Sequence, residues 1–291
     1  MRKLLALQKA PGPREAVGGG VPVRPIFTPD THGTSLSPFV LLDYAPAKEF
    51  QSAPKKQSVG VQAHRGFELV TIVYNGEVEY RDSKGGAGRI GPGDVQWMTA
   101  GAGMLREEFH SAAATKTGGV MEMAQIWVNL PAKDKMSPPG YQALPNAQIE
   151  AAELPNGAGR VRVIAGAYAK ARGPAQTRTP MNIWDVRLKR GGKTKFELPD
   201  GHTLALLIQN GSVTLNGEHE APAGQLAIFA LNGGAVTVEA SADAQILLLS
   251  GQPINDPMVH YGRFVMNTEA EMRQAVADFN AGKFGDMRAF A

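Results

Sequence analysis

The feature that most constrains this chain is that it resembles itself. Val73-Tyr74-Asn75-Gly76-Glu77-Val78 matches Ile208-Gln209-Asn210-Gly211-Ser212-Val213, a spacing of 135 residues (73 to 208). Gly91-Pro92-Gly93-Asp94-Val95 has a looser counterpart in Ala221-Pro222-Ala223-Gly224-Gln225-Leu226, and Gly101 to Gly103 in Asn232 to Gly234. A period of that length in a chain of 291 residues predicts two domains of one design rather than one large sandwich. The Pro- and Gly-containing stretch Pro131 to Tyr141 is the expected boundary, giving an N-terminal domain over 1–134 and a C-terminal domain over 135–291. The competing explanation is chance matching of turn signals, since Asn-Gly is common in β proteins.

Each half is written as short runs of Val, Ile, Leu and Phe, punctuated by 34 Gly and 20 Pro. That pattern predicts many short strands joined by tight turns, an all-β sandwich or barrel. Ile72-Val73-Tyr74 and Glu77-Val78-Glu79-Tyr80 read as a hairpin around Asn75-Gly76, because both central residues of a type I′ turn need positive φ. Further strands are expected at Arg89-Ile90, Val95 to Met98, Met104 to His110 and Met121 to Leu130. One helix is expected near 268–281. Thr268 and Glu271 form a capping box, Met272, Ala275, Val276 and Phe279 recur at helical spacing, and Gly282 suits the position after the cap.

Composition removes several function classes. With no cysteine, disulfide frameworks, thiolate metal sites and thiol nucleophiles are excluded. A net charge of +3 is too small to predict nucleic acid or an anionic membrane as partner. The apolar stretch Leu4 to Leu7 is too short for a signal peptide, and no run reaches the roughly 18 apolar residues of a membrane span. The cytoplasm is the expected compartment.

Chemistry is expected where polar residues interrupt apolar strands. Side chains at i and i+2 share a strand face, so Gln62 aligns with His64, and Arg106 with Glu108 and His110. A small barrel that closes these two segments around one cavity would place all five together. His202 and His219 read as turn residues. Trp97 and Trp127 follow strand alternation and are wall residues first. Arg187, Lys189, Arg190, Lys193 and Lys195 read as a solvated basic hairpin around Gly191-Gly192.

Three stretches resemble the pirin family: Gly91-Pro92-Gly93-Asp94-Val95-Gln96-Trp97-Met98-Thr99-Ala100-Gly101; His64-Arg65-Gly66-Phe67-Glu68; and Gly251-Gln252-Pro253-Ile254-Asn255-Asp256-Pro257 with Tyr261-Gly262 and Phe264-Val265-Met266-Asn267-Thr268. The resemblance implies a bicupin, two tandem antiparallel β-barrel or jelly-roll cupin domains, here with a C-terminal helix. It also implies a mononuclear Fe(II) in the N-terminal cupin, held at the positions Gln62, His64, Arg106 and Glu108. His64 and Glu108 are suitable ligands. Gln62 offers only an amide oxygen, and Arg106 has five donors and no acceptor.

Three readings follow from these residues. In the first, Arg106 pairs with Glu108, a guanidinium replaces the metal charge, and the chain is a small-molecule- or protein-binding regulatory module with a cavity that includes Gln62, Arg106 and Trp97. In the second, Arg106 turns away, His110 joins His64 and Glu108 as a third ligand, and the chain is an Fe(II)-dependent dioxygenase of the quercetin 2,3-dioxygenase type with Glu108 as ligand and base. In the third, Arg106 and His64 bind an anionic small molecule. The strand after Asn232-Gly233-Gly234 carries no His-x-Glu, so the C-terminal cupin is expected to lack ligands.

Overall fold

The structure is a computed structural model that describes residues 1–14, 21–55 and 58–287. The chain forms two compact units, each built on a pair of antiparallel sheets with one short two-stranded hairpin besides. In the N-terminal unit the larger sheet runs, in spatial order, Gly140–Leu144, Val95–Thr99, Phe67–Asn75, Gly119–Asn129, Phe39–Phe50, Arg24–Phe27. The smaller runs Gln62–His64, Met104–His110, Val78–Asp82, Ala87–Ile90. The C-terminal unit repeats the plan. Its larger sheet is Leu4–Lys9, Gln225–Phe229, Thr203–Asn210, Ala244–Gly251, Met181–Leu188, Gly159–Ala165, Ala151–Glu153, and its smaller sheet Lys193–Glu197, Ala235–Ala240, Ser212–Leu215, His219–Pro222. The internal repeat is therefore a repeat of fold: two β domains of the cupin type.

The expectation of one cut after residue 134 differs from how the chain divides. One unit comprises Met1–Pro11, Ser35–Pro38 and Ala147–Pro253; the other comprises Gly12–Thr34, Phe39–Asn146 and Ile254–Ala291. The physical reason is edge pairing. Leu4–Lys9 hydrogen-bonds to Gln225–Phe229 and completes an edge of the C-terminal sheet, a place held in the N-terminal sheet by Gly140–Leu144 against Val95–Thr99. From Ile254 the described chain returns to the N-terminal unit.

The Asn75-Gly76 hairpin is corrected. Phe67–Asn75 pairs with Gly119–Asn129 and Val95–Thr99, whereas Val78–Asp82 pairs with Met104–His110 and Ala87–Ile90. The turn therefore carries the chain from one sheet into the other. Gly76 has φ +81°, and a Cβ there would lie 2.7 Å from the Val120 carbonyl oxygen, so the position requires glycine. Asn210-Gly211 makes the same passage in the second unit. The basic stretch is likewise a passage between sheets and not a hairpin. Its Arg187, Lys193 and Lys195 pair with Asp185, Glu239 and Glu197 at 3.3, 2.9 and 2.8 Å.

The C-terminal helix is Glu269–Asn280, entered through the Thr268/Glu271 capping box and followed by Gly282 at φ +72°. Met272 and Ala275 pack on Phe264, Met266 and Phe284, and Asp278 accepts from Arg65 at 2.8 Å. No helix among the described residues is long and apolar enough to cross a membrane.

Candidate functional site

Strand register assembles the site in the N-terminal unit. Gln62 lies directly opposite Arg106, with Asp82 across the other edge of the same strand, and Tyr80 lies opposite Glu108. On the facing sheet Gln125, Thr71 and Gln96 stand side by side on three adjacent strands. The two rows meet in the interior. Arg106, 2% exposed, sets its guanidinium 2.6 Å from Glu108 Oε1 and donates to Gln96 Oε1. Gln125 Nε2 donates to Glu108 Oε2 at 2.6 Å, and the Tyr80 ring covers Arg106 at 5.4 Å. Both carboxylate oxygens of Glu108 are thus taken by side-chain donors, the stronger of them a charge-assisted contact.

His64 is 1% exposed, and neither ring nitrogen reaches hydrogen-bonding geometry. Burial, reinforced by the charges of Arg263 and then Arg106, holds it well below the ordinary histidine value; the Gln62 main chain opposes weakly. His64 is therefore a neutral imidazole at pH 7. His110 lies farther along its strand against the Phe50 ring, centroid to centroid 5.1 Å, and burial lowers it too. Among the described residues no three His, Asp or Glu side chains converge as a metal-binding group, so His64, Glu108 and His110 do not stand as a triad.

A cavity of about 190 Å³ opens beside this cluster. Gln62, Glu108, Gln125, Asp43 and Arg263 provide its polar wall, and His110 reaches it as well. Val21, Val23, Val59, Val78, Met123, Phe109 and Trp127 provide its apolar wall. Trp97 is not part of the wall. Gln96 points at Arg106, so strand alternation sends its neighbour Trp97, fully buried, through the opposite face of the sheet. Arg106 and His64 sit behind the lining rather than in it.

Asp43, Thr71, Gln96, Gln125 and Arg263 were not singled out in the sequence. Each of the first four alternates with apolar neighbours in a strand, which gives no sign of which face is the interior. Two of the five did carry a signal: Gln96 lies within Gly91 to Gly101 and Arg263 between Tyr261-Gly262 and Phe264, both inside stretches that carry the family resemblance.

The second unit offers a comparison within one chain. By register, the counterparts of Gln62 and Arg106 are Phe196 and Val236, and that of Glu108, opposite Tyr80, is Val238, opposite Leu215. Thr71, Gln96 and Gln125 correspond to Leu206, Ala227 and Leu248. All six counterparts belong to one buried apolar cluster. A polar interior is thus a property of the N-terminal barrel and not of the fold.

The model of the pirin family matches residues 20–128, and that of the pirin C-terminal cupin domain matches 183–285. The chain belongs to the pirin family. A Pseudomonas aeruginosa relative named "Putative quercetin 2,3-dioxygenase" is 49% identical over 271 residues, 93% of this chain and 94% of that one. The crystal structure of a quercetin 2,3-dioxygenase from Acinetobacter baumannii superposes with a TM-score of 0.96 at 46% identity, covering 99% of both chains. A bacterial pirin from Escherichia coli, solved in complex with nickel(II), matches at TM-score 0.65 and 20% identity over 85% of this chain and 98% of that one, a likeness of fold.

Proposed function

We propose that this pirin is a bicupin whose N-terminal barrel binds a small molecule, with the Arg106–Glu108 ion pair standing where the family resemblance puts a metal ion. The observation that carries the reading is the 2.6 Å contact of the guanidinium with Glu108 Oε1, joined by Gln125 on Oε2. The four side chains at the ligand positions do not fit a metal as they stand. Glu108 is engaged on both oxygens, Arg106 is a buried cation without an acceptor, and Gln62 is a weak donor set opposite it. His64 alone keeps a free lone pair. The cavity favours a small molecule over the protein partner that the sequence left open, since it is concave, partly apolar and lined by few polar groups. The expected anion site at Arg106 and His64 finds less support. Arg106 is neutralised by Glu108, and His64 is held uncharged.

The second reading, a metal-dependent oxygenase of the quercetin 2,3-dioxygenase type, is favoured by the names of the relatives at 49% and 46% identity. Elemental analysis of the chain purified without chelator, combined with oxygen uptake in the presence of a flavonol with and without Fe(II), separates the two. Substoichiometric metal and no Fe(II)-dependent uptake accord with the binding role. Equimolar metal, with uptake abolished by both His64→Ala and Glu108→Ala, establishes the oxygenase and makes His110 the candidate third ligand.

A further inference from the structure

Arg263 is a cavity cation that is not itself one of the four ligand positions. It sits at the tip of a two-stranded hairpin, Val259–Tyr261 and Phe264–Met266, just after Gly262 at φ +56°. The hairpin is stitched to the segment that follows His64. Arg65 N donates to the Arg263 carbonyl at 3.2 Å, and Val265 N donates to the Arg65 carbonyl at 3.0 Å. The Lys135 ammonium joins the Gly66 and Val265 carbonyls, both at 2.8 Å, and Asn129 Oδ1 at 2.6 Å. This backbone framework fixes where the Arg263 side chain starts. Its far end lies 6.0 Å from the centroid of the Trp127 ring, whose plane stacks with Phe67 at 4.3 Å.

Arg263 holds no carboxylate in contact. Arg65, Arg81, Arg106 and Arg162 each hold a carboxylate within 3.0 Å, whereas among the described residues Arg263 has none within ion-pair distance. Asp43 shares the cavity, and burial pushes its carboxyl up to about 6 despite Arg263 and Arg14, which pull it the other way. Burial lowers Arg263, and Asp43 and then Glu108, both on the same cavity wall, oppose that lowering without either coming within ion-pair distance. Next to it lie Val23, Val59, Val78 and Met123, an aliphatic surface for a hydrophobic body. At about 190 Å³ the cavity is smaller than the roughly 300–1,000 Å³ of sites for drug-sized ligands, which selects a small one.

We propose that Arg263 makes this cavity a site for a small apolar monocarboxylate, the guanidinium taking the carboxylate and the valine–methionine wall taking an apolar body of single-ring size. The proposal deepens the binding role argued above and rests on it. Trp127 holds the guanidinium face without competing for its N–H donors, so the planar fork stays free for a bidentate partner.

The test is calorimetric titration of the intact chain at pH 8 with sodium cinnamate, and with cinnamyl alcohol as the uncharged probe of the same body. Cinnamate is expected to bind more tightly than the alcohol. Arg263→Gln should weaken cinnamate by about tenfold or more and leave the alcohol unchanged, while Arg263→Lys keeps most of the affinity. Unchanged thermal unfolding of both variants establishes that the loss is local. Failure of the native chain to prefer cinnamate, or cinnamate affinity unchanged in both variants, overturns the proposal. Metal content is measured on the same samples. Bound metal with Arg263-dependent cinnamate affinity refutes the metal-free role alone, and metal-free protein indifferent to Arg263 refutes the carboxylate site alone.

Discussion

Replacing Gln62 and Arg106 by histidine asks how much of the chain's incompatibility with a metal lies in one guanidinium. An ion on Glu108 Oε1 would sit about 2.1 Å from that oxygen. The guanidinium nitrogen now lies 2.6 Å from the same atom, so the two charges would face each other across roughly 4 Å. At an effective dielectric of 20 a divalent ion and a guanidinium at about 4 Å repel by roughly 8 kcal/mol. At 1.4 kcal/mol per decade that is on the order of 10⁵ to 10⁶ in affinity, before any gain from the new imidazoles. Anaerobic Fe(II) titration of four chains isolates the effect: native, Gln62→His, Arg106→His and the double variant. Native and Gln62→His should bind no Fe(II) stoichiometrically, Arg106→His should recover most of the affinity, and the double variant should take one equivalent. If Gln62→His alone binds as tightly as the double variant, the guanidinium is not the obstacle and the argument fails.

Breaking the Arg106–Glu108 pair from the acidic side leaves a buried cation. Glu108→Ala is therefore expected to destabilise the N-terminal unit by about 3–5 kcal/mol in urea, read by Trp97 and Trp127 fluorescence in a Trp184→Phe background. Asp43, raised from 3.8 to about 6, binds its proton more tightly folded than unfolded. Its contribution is complete below pH 3.8 and lost as pH rises through 6, at most about 3 kcal/mol, and Asp43→Asn should flatten that part of a melting-temperature profile. Lys135→Met strips three buried acceptors of their donor and should cost about 2–4 kcal/mol, with faster amide exchange in the 259–266 hairpin. Gly66→Ala, at φ +82° with a Cβ 2.0 Å from the Val265 carbonyl oxygen, should open the same hairpin in the same assay.

Repetition was legible in the sequence because turns are written in residues with unusual backbone demands: Asn75-Gly76 and Asn210-Gly211 sit at equivalent passages between sheets. Partnering was not. A glycine at positive φ serves equally when the chain folds back on its own strand and when it crosses to the facing sheet, so the hairpin expected at Asn75 was indistinguishable from a corner. The C-terminal helix was legible to its caps, since capping chemistry is local. Its destination was not, because nothing local states that Asp278 will meet Arg65, 213 residues earlier. The same distinction divides the site. Arg106 and Glu108 share a face two residues apart on one strand, and their pairing follows from that spacing. Gln96, Gln125 and Arg263 arrive from other strands and a remote loop.

The two barrels together separate what the fold needs from what the site needs. Where one interior holds Gln62, Thr71, Gln96, Arg106, Glu108 and Gln125, the other holds Phe196, Leu206, Ala227, Val236, Val238 and Leu248 at the same register positions. The second set closes an apolar core without a charge, so the strand plan does not require polar side chains at these places. Replacing a buried ion pair by apolar groups of similar volume is often neutral or stabilising. Stability alone therefore gives no reason for the N-terminal interior to be polar. A cavity lined on one side by that interior, and on another by a cation held in place by its own hairpin, does.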